Sequence, residues 1–468
     1  MIERERLPVA IIGAGPIGLA AAAHLIRRGI SVRIFEAGSR AGSNIEEWGH
    51  VHLFSPWKYN VDEASRQLLA RTGWSDPDPE VYPTGAELVE QYVKPLAATP
   101  EIASVIELNA RVIAVSRANM DKVTTKGRQD RPFSLKIAST NGETKQVPAR
   151  AVVDASGTWG LHNPLGADGL PAIGELQSED RIAYGIPDVL GRDRATYENQ
   201  SVLVVGAGHS AANALIDLVR LQNTAPQTRV TWVTRSNNLQ RVYGGGDADQ
   251  LLARGELGSE LRTLVDNETI KLIAGFRVAK VSETNGGLTL SDADNKAIGP
   301  FARVIVATGQ RPDVSFLREI RLSIDTALEC AAALAPLIDP NVHSCGSVRP
   351  HGYKELSHPE PDFYTVGVKS YGRAPTFLLL TGYEQSRSVA AAISGDMIAA
   401  NEVNLILPET GVCSTSQSPA TESQEAGCCG GPVLVVADAC CVKDEEAKLA
   451  KKSGCGCSTT TRKEGALV

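Results

Sequence analysis

The 468-residue sequence predicts an α/β protein with two Rossmann-like dinucleotide-binding domains, one inserted in the other, and a small cysteine-rich tail. Three observations predict it. A strand, a glycine turn, a helix and a second strand open the chain. A second unit of the same kind recurs about 190 residues later, and seven of the nine cysteines follow residue 410. The expected divisions are 1–165 and 321–404 for the outer domain, 166–320 for the inserted one, 405–427 for a flexible linker and 428–468 for the tail.

The first unit reads "LPVAIIGAGPIGLAAAAHLIRRGISVRIFEAG". An apolar strand, Val9 to Ile12, runs into Gly13-x-Gly15-x-x-Gly18, and an alanine-rich helix follows to about Arg28. Gly13 permits the tight turn, Gly15 lets the backbone approach a pyrophosphate, and Gly18 lets helix pack on strand. The helix N-terminus then faces the phosphates. Glu36 ends the next strand, 18 residues after Gly18, where a carboxylate accepts hydrogen bonds from a ribose diol. This unit suits FAD.

The second unit reads "QSVLVVGAGHSAANALIDLVRLQ" and then "TRVTWVTRS". Gly206-x-Gly208-x-x-Ala211 follows the strand Val202 to Val205, with alanine as the third small residue. After the next strand, Val230 to Val233, comes Thr234-Arg235 in place of an acid. An arginine there suits the 2′-phosphate of NADPH, and the missing carboxylate removes a repulsion. "RAVVDASGTWG", with Gly157, and "RVIVATGQRPD", with Gly309, are β-branched strands followed by small-residue turns. They suit the two crossovers between domains, where glycine lets the backbone pass close to a cofactor or the other domain. Val112 is counted with the cofactor-binding set.

A net charge of −7 argues against nucleic acid as a partner. The N-terminal apolar run is too short for a signal peptide, and no later run reaches the length of a membrane span. The expected setting is cytoplasmic, away from membranes, where thiols serve metal or redox duty rather than disulfides. A homodimer is compatible with this reading.

Over roughly residues 6 to 400 the chain resembles the two-dinucleotide-binding flavoproteins, which include thioredoxin-reductase-like enzymes and class B flavin monooxygenases. "ASGTWGLHNPLGADGLP" is similar to the interdomain linker of flavin-containing monooxygenases, and "YPTGAELVEQYVKPLA" resembles their helix after the substrate-side loop. "DFYTVGVKSYGRAPTFLLLTGYEQSRSVAAAISGD" stands where that family places its C-terminal flavin-binding segment. The resemblance implies flavin contacts at Gly367 and at the helix start that includes Gln385. His162 falls near a Baeyer–Villiger-type motif but departs in spacing, so it reads as a linker histidine. The loop "EEWGHVHLFSPWKYN" mixes aromatic and polar groups, and Trp48, His50, His52, Ser55, Trp57 and Lys58 are its pocket candidates. The same tryptophans are equally compatible with core packing.

Disulfide reductases of this superfamily carry a close cysteine pair against the flavin. Residues 1–329 here contain no cysteine, and Cys330 and Cys345 are single. The tail carries Cys428-Cys429, Cys440-Cys441 and Cys455-x-Cys457. Adjacent cysteines strain a disulfide and suit a soft thiophilic centre better, and their spacing fits zinc worse than Cys-x-x-Cys. They resemble the pairs of arsenic metallochaperones and the C-terminal thiols of mercuric reductase. The whole architecture looks like flavoproteins of bacterial arsenic-resistance operons. The resemblance implies a monooxygenase in which NADPH reduces FAD, molecular oxygen forms a C4a-hydroperoxide, and a trivalent metalloid collected by the tail is oxidised. A reductase passing electrons to the tail dithiols, and a metalloid-binding or sensor protein, stay open beside it.

Overall fold

A computed structural model of the chain describes residues 4–246, 249–284, 286–341, 351–375, 377–403 and 405. The chain divides into two units, Met1–Ser416 and Gln417–Val468, and the second lies outside the described residues. So do Cys345, the expected linker beyond residue 405, and all six tail cysteines assigned to metalloid binding.

The outer domain is built on a five-stranded parallel sheet in the order Phe363–Thr365, Ala151–Asp154, Val9–Ile12, Val32–Phe35, Ile106–Glu107. Its central strands are buried on both faces, so they read as unbroken apolar runs. Alternate residues go to opposite faces. Val9, Ile11, Val32, Ile34, Ala151 and Val153 join one core, and Ala10, Ile12, Phe35 and Val152 join another. The first core is covered by α1 (Pro16–Arg27), whose residues 16–25 are all buried. Alanines at positions 20–23 keep that helix close to the sheet.

The inserted domain repeats the plan. Its parallel order is Lys271–Ile273, Arg229–Val233, Ser201–Val205, Arg303–Val306, Ile182–Tyr184. Val202, Val204, Val230, Trp232 and Ile305 face α2 (His209–Gln222), while Leu203, Val205, Val233, Val304 and Val306 face the opposite core. Two three-stranded antiparallel sheets, spanning 110–149 and 280–301, are appended to the parallel sheets.

Strand Phe363–Thr365 returns to the first sheet after the insertion, and α3 (Leu379–Ile393) then packs on α1. The two crossovers run side by side. Asn163 N–H donates to Gly309 O at 2.9 Å, Arg311 N–H to Leu161 O at 2.8 Å, and Thr158 Oγ1 to Gln310 Oε1 at 2.9 Å. The helix expected over Tyr82–Ala97 begins at Gly85, after a capping box between Thr84 and Glu87, and contains a π turn at Val89–Val93.

A buried ionic node closes the outer domain. Glu360 accepts from Arg117 Nε at 2.8 Å and from Arg128 Nη2 at 2.7 Å, with side-chain exposures of 0%, 0% and 4% in the order Glu360, Arg117, Arg128. The Arg117 guanidinium lies 3.7 Å from the Phe133 ring centroid. The remaining arginine N–H groups reach the carbonyls of Arg131, Pro361, Asp121 and Glu319.

Candidate active site

The first glycine turn shows why each position is glycine. Gly13 has φ +98°, and a Cβ there would lie 2.8 Å from Ala155 O. At Gly18 a Cβ would lie 2.1 Å from Gly13 O. Around Gly15 a Cβ would meet nothing within 4 Å. Gly13 and Gly18 are thus required by the protein, whereas Gly15 leaves open the face that a pyrophosphate approaches. Gly15 caps α1 with no side-chain hydrogen bond, so the helix dipole is offered outward. Glu36 accepts from Ala14 N–H and Gly38 N–H, both at 2.7 Å, which fixes its carboxylate at the mouth of the turn.

The C-terminal segment converges on the same place. Gly367 has φ +75°, and a Cβ there would press on Ile17 at 3.3 Å. A Cβ on Gly382, in the first turn of α3, would lie 2.5 Å from Ile17 Cδ1. The N-termini of α1 and α3 therefore meet at Ile17. Gln385 is fully buried, and its Oε1 accepts from Gly367 N–H at 2.8 Å. Its Nε2 reaches Ser370 Oγ at 2.9 Å and His351 Nε2 at 3.0 Å. The structure thus joins Gly367 and Gln385, named separately in the sequence, by a direct hydrogen bond. The hydroxyls of Tyr371 and Thr381 are buried at this helix start without a hydrogen-bond partner of normal geometry. Two helix N-termini, an open phosphate face and a held carboxylate fit FAD.

Sequence reading missed the pair beneath this site. Lys369 Nζ donates to Asp154 Oδ2 at 2.7 Å and to Ser156 Oγ at 3.0 Å. The two charged side chains are 1% and 0% exposed. They tie the end of strand Ala151–Asp154 to the turn after Phe363–Thr365. No local signal marks this pair, because its members are 215 residues apart.

The second turn repeats the first. A Cβ on Gly206, at φ +144°, would lie 2.2 Å from Ala307 O, whereas Gly208 has nothing within 4 Å. Ala211 is fully buried in the helix–sheet contact. Thr234 is buried with its hydroxyl donating to Ser236 O at 2.9 Å, and Arg235 is exposed just beyond it. This edge fits NADPH, with an exposed arginine rather than an acid following the strand Arg229–Val233.

The pocket candidates separate. Trp57 is 3% exposed in the outer-domain core, and Ser55 Oγ is bound to Asn60 Oδ1 at 2.7 Å, so both serve the fold. Tyr383 O–H, from α3, holds the same segment through Asn60 O at 2.7 Å. Lys58 pairs with Glu80 at 2.8 Å on the surface, and His52 is exposed. Trp48 stays at the interdomain edge, 6.4 Å from Trp159, and His50 has a buried Nε2 without a partner. Val112 is a core residue at 8% exposure, beside an irregularity in its strand pairing. Gly157, at φ +70°, and Gly309, at φ +90°, lie in the crossovers. His162 lies there too, and burial lowers its pKa against the opposing charge of Glu47. Cys330 is a single buried thiol, pushed up to about 12 by burial.

The family model for pyridine nucleotide-disulphide oxidoreductases matches residues 10–333. The chain belongs to this family. Its cofactors are FAD and NADPH, and it is a flavin-dependent oxidoreductase. A flavin-containing monooxygenase, FMO GS-OX-like 2 of Arabidopsis thaliana, is 21% identical over 344 residues, covering 66% of this chain and 68% of that protein. The solved bacillithiol disulfide reductase of Bacillus cereus is 20% identical with a TM-score of 0.61, over 83% of this chain and 99% of its own. A flavin-containing monooxygenase of Stenotrophomonas maltophilia is 21% identical with a TM-score of 0.51, over 83% and 98%. No helix among the described residues is long and apolar enough to cross a membrane.

Proposed function

We propose that the protein is an NADPH-dependent monooxygenase that oxidises a soft trivalent metalloid, such as arsenite or an organoarsenical, with its tail thiols collecting that substrate. One observation carries the choice of oxygen over disulfide. Residues 1–329 hold no cysteine, and Cys330 is single, buried and held as a thiol. A buried neutral thiol is neither a nucleophile nor half of a dithiol.

FAD, when bound, takes a hydride from NADPH and delivers two electrons to its oxidant. The chain supplies the binding and the shape. Gly13–Gly18 and the α1 N-terminus would hold phosphates, and Glu36 would hold a ribose. The α3 start would offer its N–H groups toward negative charge on the ring system. Trp48, at the interdomain edge, and His50, with its unpartnered Nε2, are the candidates for the substrate side. Thiolates at Cys428, Cys429, Cys440, Cys441, Cys455 and Cys457 suit trigonal arsenic(III) and raise its local concentration.

The six tail cysteines also support an alternative reading, in which electrons pass from the flavin to these dithiols. The deciding experiment measures NADPH oxidation by the full chain with trivalent arsenicals, with and without oxygen. The monooxygenase reading expects oxygen uptake that depends on the arsenical, and activity at saturating substrate that survives Cys440→Ser with Cys441→Ser. Anaerobic turnover abolished by those substitutions would establish the reductase instead.

A further inference from the structure

Two crossover segments connect the nucleotide-binding domains, and hydride transfer requires the reacting atoms to approach within about 3–3.5 Å. The relative placement of the domains is therefore part of the chemistry. Residues 47–54 of the outer domain touch the other side at separate points. Trp159, in the first crossover, donates from Nε1 to Glu47 Oε2 at 2.6 Å. Its ring is tilted against Trp48 and lies edge-on to His162 at 5.3 Å. His162 in turn stacks on Tyr184 at 5.9 Å, at the end of an inserted-domain strand. Gly185 makes room for this wedge: a Cβ there would lie 3.3 Å from Trp159 and 3.5 Å from His162. Further along, the Phe54 ring lies 4.8 Å from His209, the first residue of α2 and the neighbour of Gly208.

We propose that residues 47–54 form a docking seat for the NADPH domain, with Trp159 and Phe54 as positioning residues that hold the nicotinamide side over the flavin. Glu47 orients the indole, the Trp159–His162–Tyr184 stack carries its position into the inserted sheet, and Phe54 sets the first turn of α2. This goes beyond the metalloid reading. It rests on FAD and NADPH alone and holds whichever oxidant follows.

The test uses the full, FAD-loaded chain with Trp159→Phe, Phe54→Ala, both together, and Glu47→Gln, which keeps an acceptor. Amide hydrogen exchange is followed in peptides 47–54 and 206–212. Anaerobic flavin reduction at saturating NADPH and NADPH affinity are measured alongside. The double variant is expected to exchange at least about threefold faster in both peptides. It should reduce flavin about tenfold more slowly, with NADPH affinity within about twofold of the parent. Glu47→Gln should stay nearest the parent. Unchanged exchange at 206–212, or a parental reduction rate in the double variant, overturns the proposal. If the double variant fails to hold FAD, Trp159→Phe alone decides by the same two readouts. Neither readout involves oxygen or a metalloid, so failure here is distinct from failure of the proposed function.

Discussion

Replacing Lys369 by methionine tests the buried pair beneath the flavin site. The substitution keeps most of the side-chain volume and removes the charge from a contact of 2.7 Å between side chains that are 1% and 0% exposed. At an effective dielectric constant of about 20, the gross attraction at this separation is about 6 kcal/mol. Desolvation of both ions offsets much of it, so the intact pair contributes little net stability. Removing one partner is different, because Asp154 stays buried with only Ser156 N–H and Oγ–H as donors. Breaking a buried pair in this way costs about 3–5 kcal/mol. Lys369→Met should therefore lose about that much in urea unfolding of the FAD-free protein. Combining it with Asp154→Asn removes the stranded charge and should recover more than half. The single and double variants are measured with two probes, so that two-state behaviour is checked. A loss below about 1 kcal/mol for Lys369→Met, or a double variant no better than the single, would refute the reasoning.

The glycines of the first turn should respond in opposite ways. Gly18→Ala forces a Cβ against Gly13 O and should destabilise the FAD-free fold by about 1–3 kcal/mol or more. Gly15→Ala meets nothing and should keep the FAD-free melting temperature while weakening FAD at least about tenfold, as read by flavin titration. Glu360 gives an acid signature. Burial pushes its carboxyl up, but hydrogen bonds from Arg128, Arg117 and Arg321 N–H outweigh this and hold it below 4.5. A carboxyl with a depressed folded pKa stabilises fully above its unfolded value, and the contribution is lost as pH falls through the folded value. Stability should thus fall below pH 4.5 in the parent and fall less steeply in Glu360→Gln. That variant, with two buried guanidinium groups left unpaired, should already be about 3–5 kcal/mol weaker at neutral pH.

Much of the cofactor framework is local and so was legible in the chain. Gly13, Gly15 and Gly18 form one short motif after an apolar strand, so their spacing is read from the chain alone, although the atom that excludes a side chain at Gly13, Ala155 O, is supplied by a distant strand. The same holds for Gly206, Gly208 and Ala211, and for apolar strands that alternate between two cores. The fate of the loop at 48–58 was not legible. Aromatic and polar residues in one stretch suit a pocket and a core equally. Trp57 went to the core and Trp48 to the domain edge because Asn60, Tyr383 and Ser55 fold the segment between them.

By itself, the sequence determined the two nucleotide-binding units, the insertion of one in the other, and the absence of a cysteine pair in residues 1–329. Those features depend on backbone sterics, side-chain periodicity and composition, which neighbours along the chain set. Only the tertiary structure decided that Lys369 neutralises Asp154, that Glu360 gathers Arg117 and Arg128, that Gln385 holds Gly367, and that Trp159 meets Glu47. These partners lie between 18 and 243 residues apart. A lysine or glutamate shows no local preference that reveals a distant partner. The pairing arises because folding removes both groups from water, and burial then requires each to be satisfied by whatever the fold brings beside it.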